Sequence, residues 1–213
     1  AVTNQYKTDA NGIGDFYYTP PDNALALCTQ NIPPNLTSKN GMIDPKKHFD
    51  TLLYTGNSAT SGHKITGLEF APDFVWIKNR SLTYDHHLYD TIRGVGNWLE
   101  SNQTDVEANG THMDGFLHNG FSVGNGVSSN RTNYNGNNYA AWCWKAGGGY
   151  VTNNDGSVTS QVSANKDAGF SIVTYSGSND STVTFGHGLD SAPEMVLIKR
   201  RNNANGWRVY HHS

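Results

Sequence analysis

Residues 49–90 and 170–211 are one segment written twice, and this repetition constrains the fold more than any other feature of the chain. Each matched residue lies 121 positions from its partner, without a gap. Phe49 aligns with Phe170, Tyr54 with Tyr175, Gly56 with Gly177, and Gly67-Leu68 with Gly188-Leu189. Further along, Ala71-Pro72 aligns with Ala192-Pro193, Val75 with Val196, Ile77-Lys78 with Ile198-Lys199, Arg80 with Arg201 and Tyr89 with Tyr210. These are 12 identities in 42 pairs, where chance supplies roughly two or three. What both copies keep is what the scaffold needs, and what differs is free to carry specificity. A second unit of the same length begins near Gly169, and 45 residues of it are present.

The shared residues read as strands joined by turns. Phe49–Tyr54, Phe74–Lys78 and Gly120–Gly124 are expected strands, with Leu88–Asp90 as an edge segment. Tyr139–Lys145 alternates strictly, placing Trp142 and Trp144 on one face and Cys143 on the other. The expectation for Trp142 and Trp144 is a place in the core. Val151–Gln161 reads as a hairpin around Asp155-Gly156. The segments 57–64, 102–119 and 125–138 read as polar loops. Asp90–Glu100 is the best helix candidate, but Gly94 and Gly96 each cost about 1 kcal/mol there, so one turn or an irregular loop is expected.

Ahead of the repeat, Asn11-Gly12 signals a turn, and Asp15–Tyr18 and Ala24–Cys28 read as short strands. Residues 32–45 hold Pro33, Pro34 and Pro45 and read as a linker. The expected organisation is therefore 1–45 as the end of an upstream β domain plus linker, 46–168 as a first sandwich unit, and 169–213 as the start of a second. Sequential strands with polar turns and no alternating helices imply antiparallel sheets, hence sandwich or jelly-roll units in tandem.

Composition agrees. Apolar residues make up 36% and charged residues 15% of the chain, and 23 glycines fill much of the rest. Charged amphipathic helices are thus scarce, while 24 aromatics supply core material. The net charge is −3 and no basic patch forms, so nucleic acid is not an expected partner. No run of 18 apolar residues offers a membrane span. No secretory leader is recognisable, and the chain opens on Ala1, as a processed chain or a piece of a longer one would. Cys28 and Cys143 fall in different units and are expected to be free, buried thiols.

Several residues invite a functional reading. Lys78/Lys199 and Arg80/Arg201 lie two apart on a strand and could clamp an anion, but a solvated edge with carboxylate partners explains them better. His86 and His87 are adjacent in a strand, point to opposite faces, and cannot readily chelate one metal. Asp85, Asp90, Glu100, Asp105, Glu107 and Asp114 lie in or near loops, yet no pair among them stands out as a glycosidase couple. Motifs for metal-dependent hydrolysis, serine nucleophiles and phosphate loops are missing. Trp76, Trp142, Trp144 and Trp207 could stack on sugars. Trp207 is the best of them, being specific to its copy and near a polar loop, with Tyr84 and His86 as companions.

The strings Tyr54-Thr-Gly-Asn57, ITGLEFAPDFVWIKNRS over 65–81 and DTIRG over 90–94 resemble repeat-bearing virion proteins of tailed bacteriophages, of marine and cyanobacterial phages in particular. NYAAWCWKAGG over 138–148, VSAN over 162–165, GFSIVTY over 169–175 and GHGLDSAP over 186–193 belong to the same pattern. The resemblance covers about 46–213. Residues 15–34 resemble the closing strands of a SPRY or concanavalin-like domain, which often precedes such repeats. The resemblance implies a β-sandwich structural protein of a tail fibre, tailspike or other surface appendage. It would be located in the virion after assembly in the host cytoplasm. It also implies a homo-oligomer, a trimer by preference, touching other virion proteins and, for host attachment, a surface glycan. The family carries no established catalytic residues, so the expectation is no enzyme, no cofactor and no metal. Two alternatives stand beside it: a carbohydrate-binding module of a secreted or surface protein, and a polysaccharide-degrading tailspike.

Overall fold

The computed structural model describes residues 7–10, 12–14, 16, 18–21, 44–124, 132–178, 180 and 182–212. The chain forms two compact units, Ala1–Ile43 and Asp44–Ser213. In the first, Lys7 and Phe16 exchange backbone hydrogen bonds of 2.8 Å across a turn. Gly12 adopts φ +78° there, and Asp9 accepts from Ile13 N through Oδ1 at 3.0 Å. Of the expected aromatic strand at 15–18, Phe16 forms this bridge, while Asp15 and Tyr17 lie outside the described residues. The expected strand at 24–28, Cys28 and most of the linker lie outside the described residues.

The second unit opens on a 3-10 turn, Pro45–Lys47, whose N-cap Asp44 accepts from Lys46 N. Fourteen strands follow among the described residues, all paired antiparallel. The larger sheet runs in the order β1 (Phe49–Thr55), β9 (Asn138–Trp144), β3 (Phe74–Asn79), β4 (His87–Asp90), β5 (Asn97–Glu100), β6 (Ala108–Asn109). The smaller one runs β2 (His63–Thr66), β8 (Gly120–Val123), β7 (Met113–Leu117). Side-chain alternation sends Val75, Ile77, Tyr89, Tyr139, Ala141 and Cys143 inward, where they meet Ile65, Met113, Phe121 and Val123 of the smaller sheet. The protein is an antiparallel β-sandwich, as its alternation implies.

β9 is the keystone. It is threaded between β1 and β3 and pairs with both, so that Ala141 lies across from Leu52 on one side and Ile77 on the other. β1 and β3 are therefore parallel to one another, separated by a strand that arrives about 60 residues later.

The remaining strands carry the second copy. β10 (Val151–Asn153), β11 (Ser160–Asn165) and β12 (Phe170–Tyr175) form one sheet, and β13 (Met195–Ile198) pairs with β14 (Arg208–His211). The two copies coincide in register as well as in sequence. Val75 faces Tyr89 and Ile77 faces His87, while 121 residues on Val196 faces Tyr210 and Ile198 faces Arg208.

Four expectations are corrected. Leu88–Asp90 is not an edge: β4 lies between β3 and β5. Lys78 likewise sits on an interior strand, because β9 covers the other side of β3. The 102–119 segment is not a plain loop but contains β6 and β7. Trp142 and Trp144 are half-buried on the outer face of the large sheet, since Tyr139, Ala141 and Cys143 occupy the core side. Both copies of the repeat lie within the compact unit Asp44–Ser213. The Asp90–Glu100 segment makes turns with Gly94 and Gly96 at φ +89° and +87°, then enters β5, so the glycines do prevent a helix. The Val151–Gln161 hairpin forms, with Val151 opposite Val162.

Candidate functional site

The outer face of the large sheet carries a row of rings. Phe49, Trp144 and Phe74 stand side by side on β1, β9 and β3, with centroids 4.8 Å and 5.3 Å from Trp144. Phe170 of the second copy lies over this end, stacked on Trp144 at 6.0 Å and 20°. Two residues along, Trp142 and Trp76 meet edge to face at 6.0 Å. Trp76 donates its indole N–H to His86 Nδ1 at 2.8 Å, and the two rings cross at 71°. Leu53 beside them is exposed. The row arises because Val75 and Ile77 must face the core, which leaves Phe74 and Trp76 no other direction.

The three residues singled out from sequence fall around this row. His86 is half-buried; its backbone N–H donates to Asn102 Oδ1 at 3.0 Å, and Asn102 and Gln103 both donate to Asp85 Oδ1. Burial, and then the Lys78 charge, hold the His86 pKa below its ordinary value. That agrees with a neutral ring accepting from Trp76. Tyr84 is half-buried, and its carbonyl accepts from Lys78 Nζ at 2.5 Å. Trp207 donates its indole N–H to the Glu100 carbonyl at 2.9 Å. His86 and Trp207 occupy the same position in their respective copies, and both are tied to residues 100–102. Tyr84 joins them only through its place on the 80–86 segment.

A second cluster is buried and ionic. Arg93 Nε contacts Asp90 Oδ2, its Nη1 lies 3.2 Å from Glu107 Oε2, and its Nη2 donates to the Leu88 carbonyl. Arg201 closes on Glu107 with two contacts, 2.9 and 2.7 Å. Burial by itself pushes the Glu107 carboxyl up, but the Arg201 hydrogen bonds and the two guanidinium charges outweigh it and hold the pKa below its ordinary value. Arg201 thus grips a carboxylate of its own chain. Lys199 donates to the Arg200 carbonyl instead of joining it in an anion clamp.

His86 and His87 do point opposite ways. His87 is buried on the inner face, stacked on Trp98 at 5.5 Å and 6°, with Tyr89 Oη 3.0 Å from Nδ1 and Glu100 Oε1 3.5 Å from Nε2. Among the described residues no group of three His, Cys, Asp or Glu could hold a metal ion. Asp90 and Glu107 are committed to arginines, Glu100 to His87, Asp85 to amides, and Asp114 to Gly62 N. No helix among the described residues is long and apolar enough to cross a membrane.

Sequence reasoning missed two polar anchors. Asp73, buried, accepts from Ala146 N, Gly148 N and Thr91 Oγ1 and so fixes the exit of β9. Asn133, buried, bonds Asn57, Ala59 and His63 and stitches the 57–63 loop to the end of the 125–138 segment. An Asn inside an Asn-rich run carries no local signal of burial. Trp76 and Trp142 were detectable, because the Val75-x-Ile77 and Ala141-x-Cys143 alternations direct them outward.

An antiparallel β-sandwich with an aromatic outer row and a duplicated hairpin is the class that this geometry defines. The chain belongs to a family of domains of unknown function, DUF7483, whose model matches residues 44–213. That match coincides with the second compact unit. No curated protein and no solved structure matches it.

Proposed function

We propose that this chain is a non-enzymatic structural protein of a tailed-phage virion, part of a tail fibre or similar surface appendage that takes part in host attachment. The motifs quoted above supply the resemblance. The observation that carries the reading is the coincidence of sequence repeat and strand register, Val75 opposite Tyr89 and Val196 opposite Tyr210. Tandem reuse of one rigid sheet scaffold suits a part that extends a surface by repetition. The assembly is a homo-oligomer, a trimer by preference, and it neighbours other virion proteins. Antibodies raised against residues 44–213 should label appendages of intact purified particles in negative-stain images. Unlabelled particles, with the antigen confined to the soluble fraction of the lysate, would remove the reading.

A second reading, a carbohydrate-binding module, is favoured by the Trp76–Trp142 pair on the outer face. Half-buried indole rings can stack on the C–H faces of sugars, with Asn102 and Gln103 nearby as polar partners. On this reading weak contacts are multiplied by valency. Glycan-array binding by the isolated chain, lost in Trp142→Ala, supports it, and a silent array counts against it.

A further inference from the structure

The repeat holds one arginine in two settings. Lys78 and Arg80 recur 121 residues on as Lys199 and Arg201. In the second copy Arg201 grips a carboxylate of its own chain, with Nε and Nη2 at 2.9 and 2.7 Å from the two oxygens of Glu107. In the first copy Arg80 is exposed, and among the described residues its guanidinium meets no carboxylate. Its backbone N–H donates to the Asn138 carbonyl at 2.7 Å, which fixes the main chain at the end of β3. Neither an edge strand nor a facing carboxylate accounts for Lys78. It sits on an interior strand, across from Ala140 of β9. Its Nζ donates to the Tyr84 carbonyl and has further N–H donors to offer. Asp85, the acid of the neighbouring loop, accepts from Asn102 and Gln103.

These cations continue the aromatic row. Lys78 follows Trp76 by two residues and shares its face of β3, about 7 Å along the strand. Ala140 lies between Lys78 and Leu53, and follows Trp142 in the same way on β9. No bulky β9 side chain therefore separates the indoles from the ammonium group. We propose that Arg80 and Lys78 form the anionic end of the outer-face site, so that its ligand is an acidic glycan whose carboxylate Arg80 grips while its ring lies against Trp142 and Trp76. Arg201 on Glu107 shows the grip that this position of the scaffold makes. An indole beside paired cations suits a pyranose ring that carries a carboxylate. The C–H face stacks, and the carboxylate takes charge-assisted hydrogen bonds. The net charge of the chain is −3, so attraction of an anionic polymer has to come from this local pair. The proposal rests on the carbohydrate-binding reading of the Trp76–Trp142 pair.

The test uses the full 213-residue chain and three polymers: polygalacturonate, hyaluronan and polysialate. Each is compared with the same polymer after its carboxyl groups have been reduced to alcohols. Calorimetric titration and tryptophan fluorescence read binding at low and at high salt. At least one acidic polymer should bind roughly tenfold more tightly than its reduced form, with the difference shrinking as salt rises. Arg80→Gln, at an exposed position, should bring the two forms to parity without weakening the reduced one. Lys78→Met should act in the same direction, and Trp142→Ala should abolish binding of both forms. Equal affinity for each acidic polymer and its reduced form would overturn the proposal and leave the carbohydrate reading standing, as would a preference that survives Arg80→Gln. Binding of no polymer in either form would overturn both.

Discussion

Arg93 makes the point that a buried charge is tolerable only with partners on every side. Its guanidinium meets Asp90, Glu107 and the Leu88 carbonyl, and Asp90 in turn accepts the Arg93 and Ile92 backbone N–H groups. Truncating Arg93 to Ala leaves Asp90 buried without its cation, a loss of about 3–5 kcal/mol. Denaturant unfolding of Arg93→Ala should show that loss, and a loss below about 1 kcal/mol would mean the cluster is solvated. His86 yields a prediction with a sign. Its folded pKa is depressed from 6.5, so below that pH the unfolded chain takes up a proton that the folded chain resists. Stability therefore falls as pH drops through 6.5 and levels off below the folded value. The Trp76 indole N–H resonance, which reports the bond to Nδ1, should titrate with a midpoint below 6.5; a midpoint above it contradicts the assignment. Cys143 is buried on the core face and its thiol is pushed up to about 12. It should react with a thiol-specific disulfide reagent only at the rate of unfolding, whereas rapid modification of a Cys28→Ser chain under native conditions would show an open core.

At the level of elements, Gly56 and Gly177 are one repeat position in two different surroundings. A methyl group on Gly56 would come within 2.2 Å of the Tyr134 carbonyl, while one on Gly177 would meet nothing within 4 Å. Gly56→Ala should cost about 1–3 kcal/mol through forced displacement of backbone, and Gly177→Ala should be neutral. Equal losses in parallel thermal melts would contradict the account. The same contrast explains what was legible in the sequence. β1, β3, β8, β9 and the Val151 hairpin announce themselves by alternation, and the repeat finds β12 before any coordinates do. Sheet order does not announce itself, because β9 inserts between strands laid down long before it. That one insertion makes Lys78 an interior-strand residue, as β5 does for Leu88, while the burial of Tyr139, Ala141 and Cys143 leaves Trp142 and Trp144 facing outward. β6 was hidden by its two-residue length and β7 by Gly115 and Asp114 within it. Of the candidate site, His86 and Trp207 were legible as copy-specific residues at one shared position. Asp73 and Asn133 were not, since their burial depends on loops that meet only in the folded state.

For the whole molecule, the two copies share strand register and differ in burial among the described residues. The first is a closed sandwich, whose inner face is covered by β2, β8 and β7. In the second, Met195, Leu197, Val209 and Tyr210 are exposed, while Val196 and Ile198 are half-buried. Arg201 and Trp207, held by Glu107 and the Glu100 carbonyl, fasten the loop of the second copy to the first. Residue-resolved hydrogen exchange tests this division most directly. The cross-strand amides of Val75/Tyr89 and of Val196/Tyr210 should both be protected, and the β9-facing amides of β3 should exchange slowly while the corresponding amides of β13 exchange freely. Uniform protection of β13, or no pairing of β13 with β14, would contradict it.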